Sequence, residues 1–418
     1  MIPASKKIEL LAPAGNVEKL ETAIHFGADA VYLAGKAFSL RNFSGNFTLE
    51  EMEAGVALAR RHGVKVYTAC NIYSRNSEQE ALTAYLRELG RIGPDAVIIS
   101  DPGIFTAARE LIPHIPVHVS TQANTTNYRT AGFWRRLGAR RINAARELSL
   151  AEIREIADRC PIDIEAFAHG AMCISYSGRC LLSSFMAGRD SNQGLCCHPC
   201  RFKYAVVEEK RPGLYYPILE DERGSYIFNA KDLCMIEHIP EMITAGITSL
   251  KIEGRMKGIH YLGSVVRVYR EALDSYTENP DSYTMKSEWV DELAKISHRS
   301  YCTGFYFGDP EQTRPNYEDC LYRQESQSYR FAGKILKEIS PGRFRVDVRN
   351  KIEVGDTIEL LSARSGPPTP QNIATLLNAD GASIPHAQPN TTAVLVVDNS
   401  CPPPCDPNDL IRKQLSPS

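Results

Sequence analysis

The sequence predicts an α/β fold, a TIM-like (β/α)8 barrel with a cysteine-rich insertion, followed by a small C-terminal all-β barrel domain. Short apolar runs alternate with amphipathic helical stretches over about the first 270 residues. Eight such repeats favour a closed parallel barrel over an open, doubly wound sheet. The motif GxGxxG does not follow the first apolar run, which argues against a dinucleotide-binding sheet.

The eight apolar runs are the predicted barrel strands. In order they are ELLAPAG (9–15), AVYLAG (30–35), KVYTACN (65–71), AVIISD (96–101), VHVSTQA (117–123), RINAARE (141–147), IDIEAFAHG (162–170) and SLKIEGR (249–255). Helical patterns such as VEKLETAIHFG lie between them, and several end on a glycine suited to a helix C-cap.

Changes in composition mark the predicted domain boundaries. We expect the barrel to occupy residues 1–280, with the insertion at about 173–230, and a connector to occupy 281–328. The alternating pattern from about Tyr329 predicts a small β-barrel over 329–400. The proline-rich tail, 401–418, is expected to be disordered or loosely docked.

Charge and hydropathy narrow the class of protein. The formal net charge is -2 and 43% of the residues are hydrophobic, and no apolar run is long enough to cross a bilayer. The N-terminal residues lack the apolar region of a secretory signal, so we expect a cytoplasmic protein with reduced cysteines and no membrane partner. A near-neutral total charge still permits nucleic-acid binding, because a local basic surface is sufficient.

Five of the twelve cysteines are crowded into one segment. The spacing is Cys173-x6-Cys180-x15-Cys196, with Cys197 adjacent and Cys200 three residues later. Four thiolates from one segment can surround a single metal centre. A tetrathiolate zinc site usually has two short cysteine pairs, and only Cys196 to Cys200 is that short here. Spacing alone favours an iron–sulfur cluster and leaves zinc or an uncoordinated arrangement open.

Polar side chains follow the predicted strands at their C-terminal ends, where barrel enzymes carry their reactive groups. They include Asn71, Asp101, Gln122, Arg146, Glu147, Glu165, His169, Lys251, Glu253 and Arg255. The cysteine-rich insertion begins at the end of the seventh strand, so a metal held there would lie close to a substrate in the barrel mouth.

The segment EAFAHGAMCISYSGRCLLS, from Glu165 to Ser183, resembles the signature of the collagenase-like peptidase family U-32. NQGLCCHPCRFKY, KDLC and SLKIEGRMK continue the resemblance, which extends to about residue 400. Despite the name, members of this family act in hydroxylation of RNA and of ubiquinone precursors, and several carry a 4Fe–4S cluster. The segment YPILEDERGSYIFNAKDLCMIEHIP is most similar to the branch that uses prephenate to convert the wobble uridine of tRNA to 5-hydroxyuridine. The resemblance therefore implies a tRNA uridine hydroxylase.

The resemblance also implies a set of cluster ligands. They are Cys173, Cys180, Cys196 and Cys200. The fourth ligand is open between Cys200, Cys197 and Cys234, because the family usually has a single cysteine where this chain has two in succession.

The chemistry of prephenate suits the cations of the predicted mouth. Prephenate is a dicarboxylate, to which arginine and lysine offer charge-assisted hydrogen bonds. The expected substrate-binding residues are Arg41, Asn71, Gln122, Arg146, Lys251 and Arg255, and a surface ion pair explains each cation equally well. Glu165, His169 and Glu253 are the candidate catalytic residues for proton transfer. Glu165 has a second reading, a buried structural carboxylate paired with an arginine.

An RNA substrate requires a basic surface with groups that stack on bases. FWRRLGARR (133–141), RCLLSSFMAGR and GRFRVDVRNK are candidates, although a solvated charged face explains each of them as well.

Two alternatives to the hydroxylase remain open. A peptidase would need a cysteine nucleophile paired with His169, because the sequence has neither HExxH nor GxSxG. A non-catalytic iron–sulfur scaffold subunit of a hydroxylation complex is the other alternative.

Overall fold

The structure is a computed structural model that divides into two compact units, which we describe separately. The described residues are 7–39, 45–172, 175, 177, 179–189, 192, 195–199, 205–207, 215–217, 231–299, 301–308, 328–364, 366–398 and 404–415. The first unit comprises residues 1–20, 29–256 and 299–321, and the second comprises 21–28, 257–298 and 322–418. The predicted boundaries at 280, 328 and 400 stay predictions.

The first unit is built on a closed parallel barrel. The described strands of this unit are β1 (Glu9–Pro13), β2 (Ala30–Ala34), β3 (Lys65–Cys70), β4 (Ala96–Ile99), β5 (Val117–Val119), β6 (Ala139–Asn143), β7 (Asp163–Ala171), β8 (Ala205–Val207), β9 (Tyr215–Pro217), β10 (Asp232–Cys234), β11 (Ser249–Ile252) and β12 (Tyr301–Cys302). Strands β8 and β9 pair only with each other, in a separate two-stranded sheet. Strands β1 to β7 pair in sequence, and β11 pairs with both β7 and β1, which closes the ring. Each predicted barrel strand is present, so the TIM-like barrel is confirmed.

Eight helices lie along this part of the chain. They are α1 (Val17–His25), α2 (Leu49–Arg61), α3 (Gln79–Ile92), α4 (Pro102–Leu111), α5 (Tyr128–Arg136), α6 (Leu150–Arg159), α7 (Leu182–Ala187) and α8 (Ile239–Thr244). Local sequence fixes several starts: Thr48 with Glu51 and Ser149 with Glu152 form capping boxes, and Asp101 caps α4. Within the described part of the chain, no helix has the length and apolar content needed to cross a bilayer.

The barrel sheet is extended where β7 ends. Strand β10 runs antiparallel to the end of β7, with Cys234 opposite His169, and β12 continues the sheet beyond it. Gly170 is required at this place: its φ is +108°, and an added Cβ would lie 2.3 Å from the carbonyl oxygen of Glu253. The end of β7 is thereby held directly against the end of β11. The extension was not predicted, because two- and three-residue strands show no periodicity.

The second unit contains two helices and an antiparallel barrel. The elements are α9 (Ile259–Glu278), α10 (Ser287–Ala294), β13 (Tyr329–Ser340), β14 (Arg343–Val348), β15 (Ile352–Glu353), β16 (Thr357–Leu361), β17 (Pro370–Leu377), β18 (Ser383–Ile384), β19 (His386–Ala387), β20 (Thr391–Val397) and β21 (Leu410–Gln414). The order β16-β21-β13-β14-β20-β17 closes through the pairing of β16 with β17. Alternate side chains such as Phe344, Val346 and Leu395 fill its core. The predicted small all-β barrel is confirmed.

The expectation of a loosely docked tail is wrong for Leu410–Gln414. These residues form β21, which lies between β16 and β13 in the sheet. Leu410 and Ile411 are buried, and so is the side chain of Arg412. The sequence pattern does not reveal this strand, because the prolines that precede it dominate the composition of the tail, 401–418.

Candidate active site

Four charged side chains meet inside the first barrel and form what we call the interior cluster: Glu9, Arg141, Glu165 and Lys251. All four are buried. Arg141 Nη1 donates to Glu9 Oε1 at 2.6 Å and lies 3.4 Å from Glu165 Oε2. Lys251 Nζ donates to Glu165 Oε1 at 2.7 Å. Because β6 and β1 are not neighbours in the sheet, the pair between Arg141 and Glu9 must cross the barrel interior.

Neighbouring groups hold Glu9 of the interior cluster in its ionised form. Burial raises the pKa of Glu9, but the charge of Arg141 and hydrogen bonds from Arg141, Tyr67 and Ser249 outweigh burial and leave this pKa below its ordinary value. Burial and the charge of Glu9 raise the pKa of Tyr67, which therefore stays a phenol and donates to Glu9 Oε2 at 2.6 Å. Burial and the charge of Arg141 lower the pKa of His118 well below its ordinary value, so this histidine is neutral.

Two of the predicted site residues are members of this cluster. Glu165 is 1% exposed and accepts hydrogen bonds from Lys251 and from Asn143 Nδ2, the latter at 2.9 Å. The Lys251 ammonium also lies 4.4 Å from the ring centroid of Tyr32 and 5.5 Å from that of Phe167. This geometry matches the second reading of Glu165, a buried carboxylate paired with cations. Lys251 is correspondingly less available to a substrate anion than an unpaired cation would be.

Several buried side chains in and beside the interior cluster carry polar atoms without hydrogen-bond partners among the described residues, and three of them lie at strand ends. The atoms are Gln122 Oε1, Asn143 Oδ1 and Arg146 Nε. They belong to the segments at the C-terminal ends of β5 and β6. The Arg146 guanidinium carbon lies 3.9 Å from the ring centroid of Phe167, which fixes its plane. A buried polar group without a partner costs about 1–3 kcal/mol, so these atoms require a buried water or a polar ligand as partner.

Arg255 and Glu253 lie just beyond the end of β11. Arg255 is buried, and its Nη2 donates to Ser39 Oγ at 2.8 Å. Glu253 is partly exposed and accepts from the Tyr32 hydroxyl at 3.2 Å. Both predicted residues therefore lie at the mouth end of the barrel.

The remaining predicted residues are placed less informatively. His169 is buried at the end of β7, and its ring centroid is 5.3 Å from that of Tyr301. Asn71 follows β3, and its carbonyl oxygen accepts from Ser100 Oγ at 3.2 Å. Arg41 lies outside the described residues.

The residues just before Cys180 are fastened to the mouth. Arg179 Nε donates to the carbonyl oxygen of Gln122 at 3.0 Å, and its Nη2 donates to the Tyr73 hydroxyl at 2.6 Å. The Tyr73 hydroxyl donates to the same carbonyl oxygen at 2.6 Å. Ser177 Oγ donates to Oε2 of Glu147, the residue that follows Arg146, at 2.6 Å. The cysteine segment is thus tied to the loops that carry Gln122 and Arg146.

Sequence reasoning missed Tyr73, Ser177 and Arg179 as parts of this site. A signal existed for Arg179, because it directly precedes a predicted ligand. Tyr73 gave none, since its partner is 106 residues away in the chain.

Cys180 and Cys196 converge on the start of α7. Cys180 Sγ accepts from the amide of Leu182 at 3.4 Å, and Ser183 Oγ lies 3.7 Å from Cys196 Sγ. The amide of Cys197 donates to the same serine oxygen at 3.3 Å. The structure thus brings together two predicted ligands that are 16 positions apart.

The other two predicted ligands, Cys173 and Cys200, lie outside the described residues. Among the residues that are described, no group of three or more His, Cys, Asp or Glu side chains is arranged to hold a metal ion. Cys234, the alternative fourth ligand, lies on β10 opposite His169. The ligand set therefore stays a prediction.

Comparison with known proteins agrees with this architecture. Peptidase family U32 matches residues 15–316, and the Peptidase family U32 C-terminal domain matches residues 327–412. The chain is 40% identical over 387 residues to tRNA hydroxylation protein P1 of Bacillus subtilis, covering 92% of this chain and 90% of that protein. It is 37% identical over 426 residues to tRNA hydroxylation protein P of Escherichia coli, covering 91% of each. It is also 31% identical over 375 residues to a protein named collagenase from Porphyromonas gingivalis, covering 86% of this chain and 87% of that one. The chain therefore belongs to peptidase family U32.

Proposed function

We propose that this protein is a cytoplasmic tRNA-modifying enzyme that hydroxylates the wobble uridine to 5-hydroxyuridine, with prephenate as co-substrate and a 4Fe–4S cluster as cofactor. The observation that carries the proposal is the attachment of the cysteine segment to the barrel mouth through Arg179 and Ser177, next to the unpartnered atoms of Gln122 and Arg146. The names of two relatives support tRNA as the substrate.

The mouth has the groups that a small dicarboxylate requires. Arg146 is buried and stacked on Phe167, with Nε without a partner among the described residues, so one face of its guanidinium fork can receive a carboxylate. Gln122 and Asn143 present acceptors that suit a hydroxyl group such as the one prephenate carries. Arg255 is the second buried cation for the other carboxylate. Lys251 shares its charge with Glu165 and contributes mainly to the potential of the site.

The donor set near α7 fits an iron–sulfur cluster. In this proposal Cys173, Cys180, Cys196 and Cys200 hold it, with Cys197 or Cys234 as the alternative to Cys200. The contacts from Leu182 to Cys180 and from Ser183 to Cys196 are of the N–H···S and O–H···S kinds that tune such centres. A bound cluster would supply one-electron redox chemistry beside the substrate.

We assign proton transfer to side chains outside the interior cluster. Glu165 is occupied by Lys251 and Asn143, so its role in the proposal is to hold the cations of the mouth in place. Glu253, partly exposed and held by the Tyr32 hydroxyl, and His169, at the end of β7, are the candidates that take or give a proton.

The test compares two cysteine variants of the full chain purified without oxygen. Cys180→Ala should abolish both the iron and sulfide content and the formation of 5-hydroxyuridine in tRNA supplied with prephenate. Cys70→Ala is the matched control, because burial raises the pKa of Cys70 to about 12 and keeps it a protonated thiol unsuited to a metal. Stoichiometric zinc without iron, or unchanged hydroxylation by the Cys180 variant, would contradict the proposal.

The name of the Porphyromonas gingivalis relative makes a peptidase the second candidate. The same preparations should be incubated with gelatin. Peptide release that requires Cys180 or His169, without any tRNA product, would replace the hydroxylase by a peptidase. Hydroxylation that appears only after a cell extract is added would instead indicate a scaffold subunit that needs a partner.

A further inference from the structure

Helices α5 and α6 border a groove that belongs neither to the barrel mouth nor to the cysteine segment. Its volume is about 400 Å³. The side chains that line it include Tyr128, Arg129, Arg135, Arg136 and Arg159. Four arginines around one concave surface make it a strongly positive feature of the first unit.

Three of the four arginines of this groove have no ion pair among the described residues. Arg129, Arg135 and Arg136 are exposed and make no ion pair with any residue that the structure describes. The acidic side chains of α6 already have hydrogen-bond or ion-pair partners. Each of the three has a partner on its own helix or at its cap: Glu152 with Ser149, Glu155 with Arg159 at 3.0 Å, and Asp158 with Arg154 at 3.1 Å.

Tyr128 adds a stacking surface to the charge. The guanidinium carbon of Arg159 lies 4.7 Å from its ring centroid, and that of Arg129 lies 5.7 Å from it. Phe133 on the same helix is 45% exposed. Planar cations beside the half-buried ring of Tyr128 and the exposed ring of Phe133 suit a nucleic acid, whose phosphates pair with arginine and whose bases stack, better than they suit an acidic peptide.

The groove is also connected to the proposed reaction site through the chain. Helix α5 begins six residues after Gln122, with Asn127 as its N-cap. Arg135 and Arg136 lie at the C-terminal end of α5, so the nine residues of this helix, about 13 Å, separate that part of the groove from the start of α5.

We propose that the groove lined by Tyr128, Arg129, Arg135, Arg136 and Arg159 binds the sugar–phosphate backbone of the RNA substrate. The charge pattern and the tyrosine indicate a nucleic acid as the ligand. That this nucleic acid is RNA rests on the proposed function.

The experiment measures binding of the full chain to fluorescently labelled unmodified tRNA by anisotropy, over a series of salt concentrations. In the variant Arg135→Gln/Arg136→Gln, we expect about tenfold weaker binding near 100 mM salt. The slope of log affinity against log salt should fall in magnitude by about 1.5, because each lost phosphate contact removes roughly 0.7–0.9. The matched control is Arg61→Gln/Arg87→Gln, which removes the same charge from exposed positions on α2 and α3.

A second variant separates stacking from charge. Tyr128→Ala should weaken tRNA binding several-fold and leave the binding of inorganic polyphosphate unchanged. Circular dichroism and thermal melting of every variant establish that the fold is retained.

The outcomes separate this proposal from the proposed function. Arginine-dependent tRNA binding by a protein that forms no 5-hydroxyuridine would support the groove and contradict the hydroxylase. Unchanged affinity and slope in the α5 variant would overturn the groove, even if hydroxylation is observed. Absence of tRNA binding by the unaltered protein, or stronger binding of an acidic peptide than of tRNA, would overturn it as well.

Discussion

Two buried arginines, Arg412 in the second unit and Arg146 in the first, have their hydrogen bonds satisfied to different degrees. In the second unit, Arg412 is 0% exposed; its Nε donates to Glu359 at 2.7 Å, and Nη1 and Nη2 donate to the two oxygens of Glu292 at 2.6 and 2.7 Å. In the first unit, Arg146 is buried against the ring of Phe167, and its Nε has no partner among the described residues.

This difference distinguishes a charged side chain that stabilises the fold from one that binds a ligand. A buried ion pair with complete hydrogen bonding offsets its own desolvation cost within the chain. A buried cation with an unsatisfied donor leaves part of that cost to be offset by something else. Arg141 and Arg267 also have an Nε without a partner, but each pairs with a carboxylate, whereas Arg146 makes no ion pair with a described residue. Since natural sequences tolerate such costs mainly at functional sites, we infer that Arg412 stabilises its unit and that Arg146 binds a ligand.

The largest expected effect is the loss of stability when Arg412 is replaced. Replacement by Met would leave Glu292 and Glu359 buried without their main cation, and we expect a loss of about 3–5 kcal/mol in the free energy of unfolding of the second unit. Denaturant unfolding would measure it, with Arg345→Met on the exposed face of β14 as control. A loss below about 1 kcal/mol, as for a surface ion pair, would break the comparison.

The stability of the second unit should also depend on pH through His260. Burial and the charge of Arg412 lower the pKa of His260 from 6.5 to about 4, against the opposing effect of Glu292. The unfolded chain therefore takes up a proton that the folded chain resists, and stability falls as the pH drops from 6.5 to 4. The loss should reach up to about 3 kcal/mol, since each pKa unit corresponds to about 1.4 kcal/mol.

The variant His260→Phe tests this dependence. It keeps a ring stacked on Phe331 and removes the titrating group, so its unfolding free energy should be flatter between pH 6.5 and 4. His62→Gln, which alters an exposed histidine after α2, should leave the pH dependence as it was. Parallel curves for the unaltered protein and the His260 variant would contradict the assignment.

Arg146 should behave in the opposite way to Arg412. In Arg146→Gln we expect the formation of 5-hydroxyuridine to fall about 100-fold, equivalent to about 2.7 kcal/mol, while the free energy of unfolding changes by less than about 1 kcal/mol. Mass spectrometry of tRNA nucleosides and thermal melting of the same preparations would measure the two effects. A large loss of stability with unchanged activity would make Arg146 a structural residue like Arg412.

The smallest expected effect concerns the attachment of the cysteine segment. Tyr73→Phe removes the hydroxyl that accepts from Arg179 and donates to the carbonyl oxygen of Gln122. With about 1 kcal/mol for each of the two hydrogen bonds, release of iron to a chelator should become about fivefold to thirtyfold faster. Tyr276→Phe, in the second unit, should not change the release rate.

Much of the fold could be predicted from the sequence because its signals are local. Period-two and period-3.6 patterns locate each barrel strand and most helices, and capping residues such as Thr48 and Ser149 fix helix starts. Strand β21 was missed because a five-residue strand after a proline-rich stretch has too short a pattern to stand out. Strand β10 was missed for a similar reason.

The candidate site was predicted only in part. The sequence located Gln122, Arg146 and Arg255 at strand ends, and the fold brings them to one end of the barrel. It did not distinguish Lys251, which is neutralised by Glu165, from Arg146, which is not. Both are cations after an apolar run, and their difference depends on partners from other strands.

The sequence by itself determined the repeating strands and helices, the crowding of the cysteines, and the order in which polar residues follow each strand, because each of these depends on neighbours within a few positions. Only the tertiary structure decided which charges are paired. Arg141 meets Glu9 across 132 positions through closure of the first barrel, and Arg412 of β21 meets Glu292 of α10 across 120 positions. The atoms left without partners follow from that closure, so the distinction between a charge that supports the fold and a charge that awaits a ligand exists only in the folded chain.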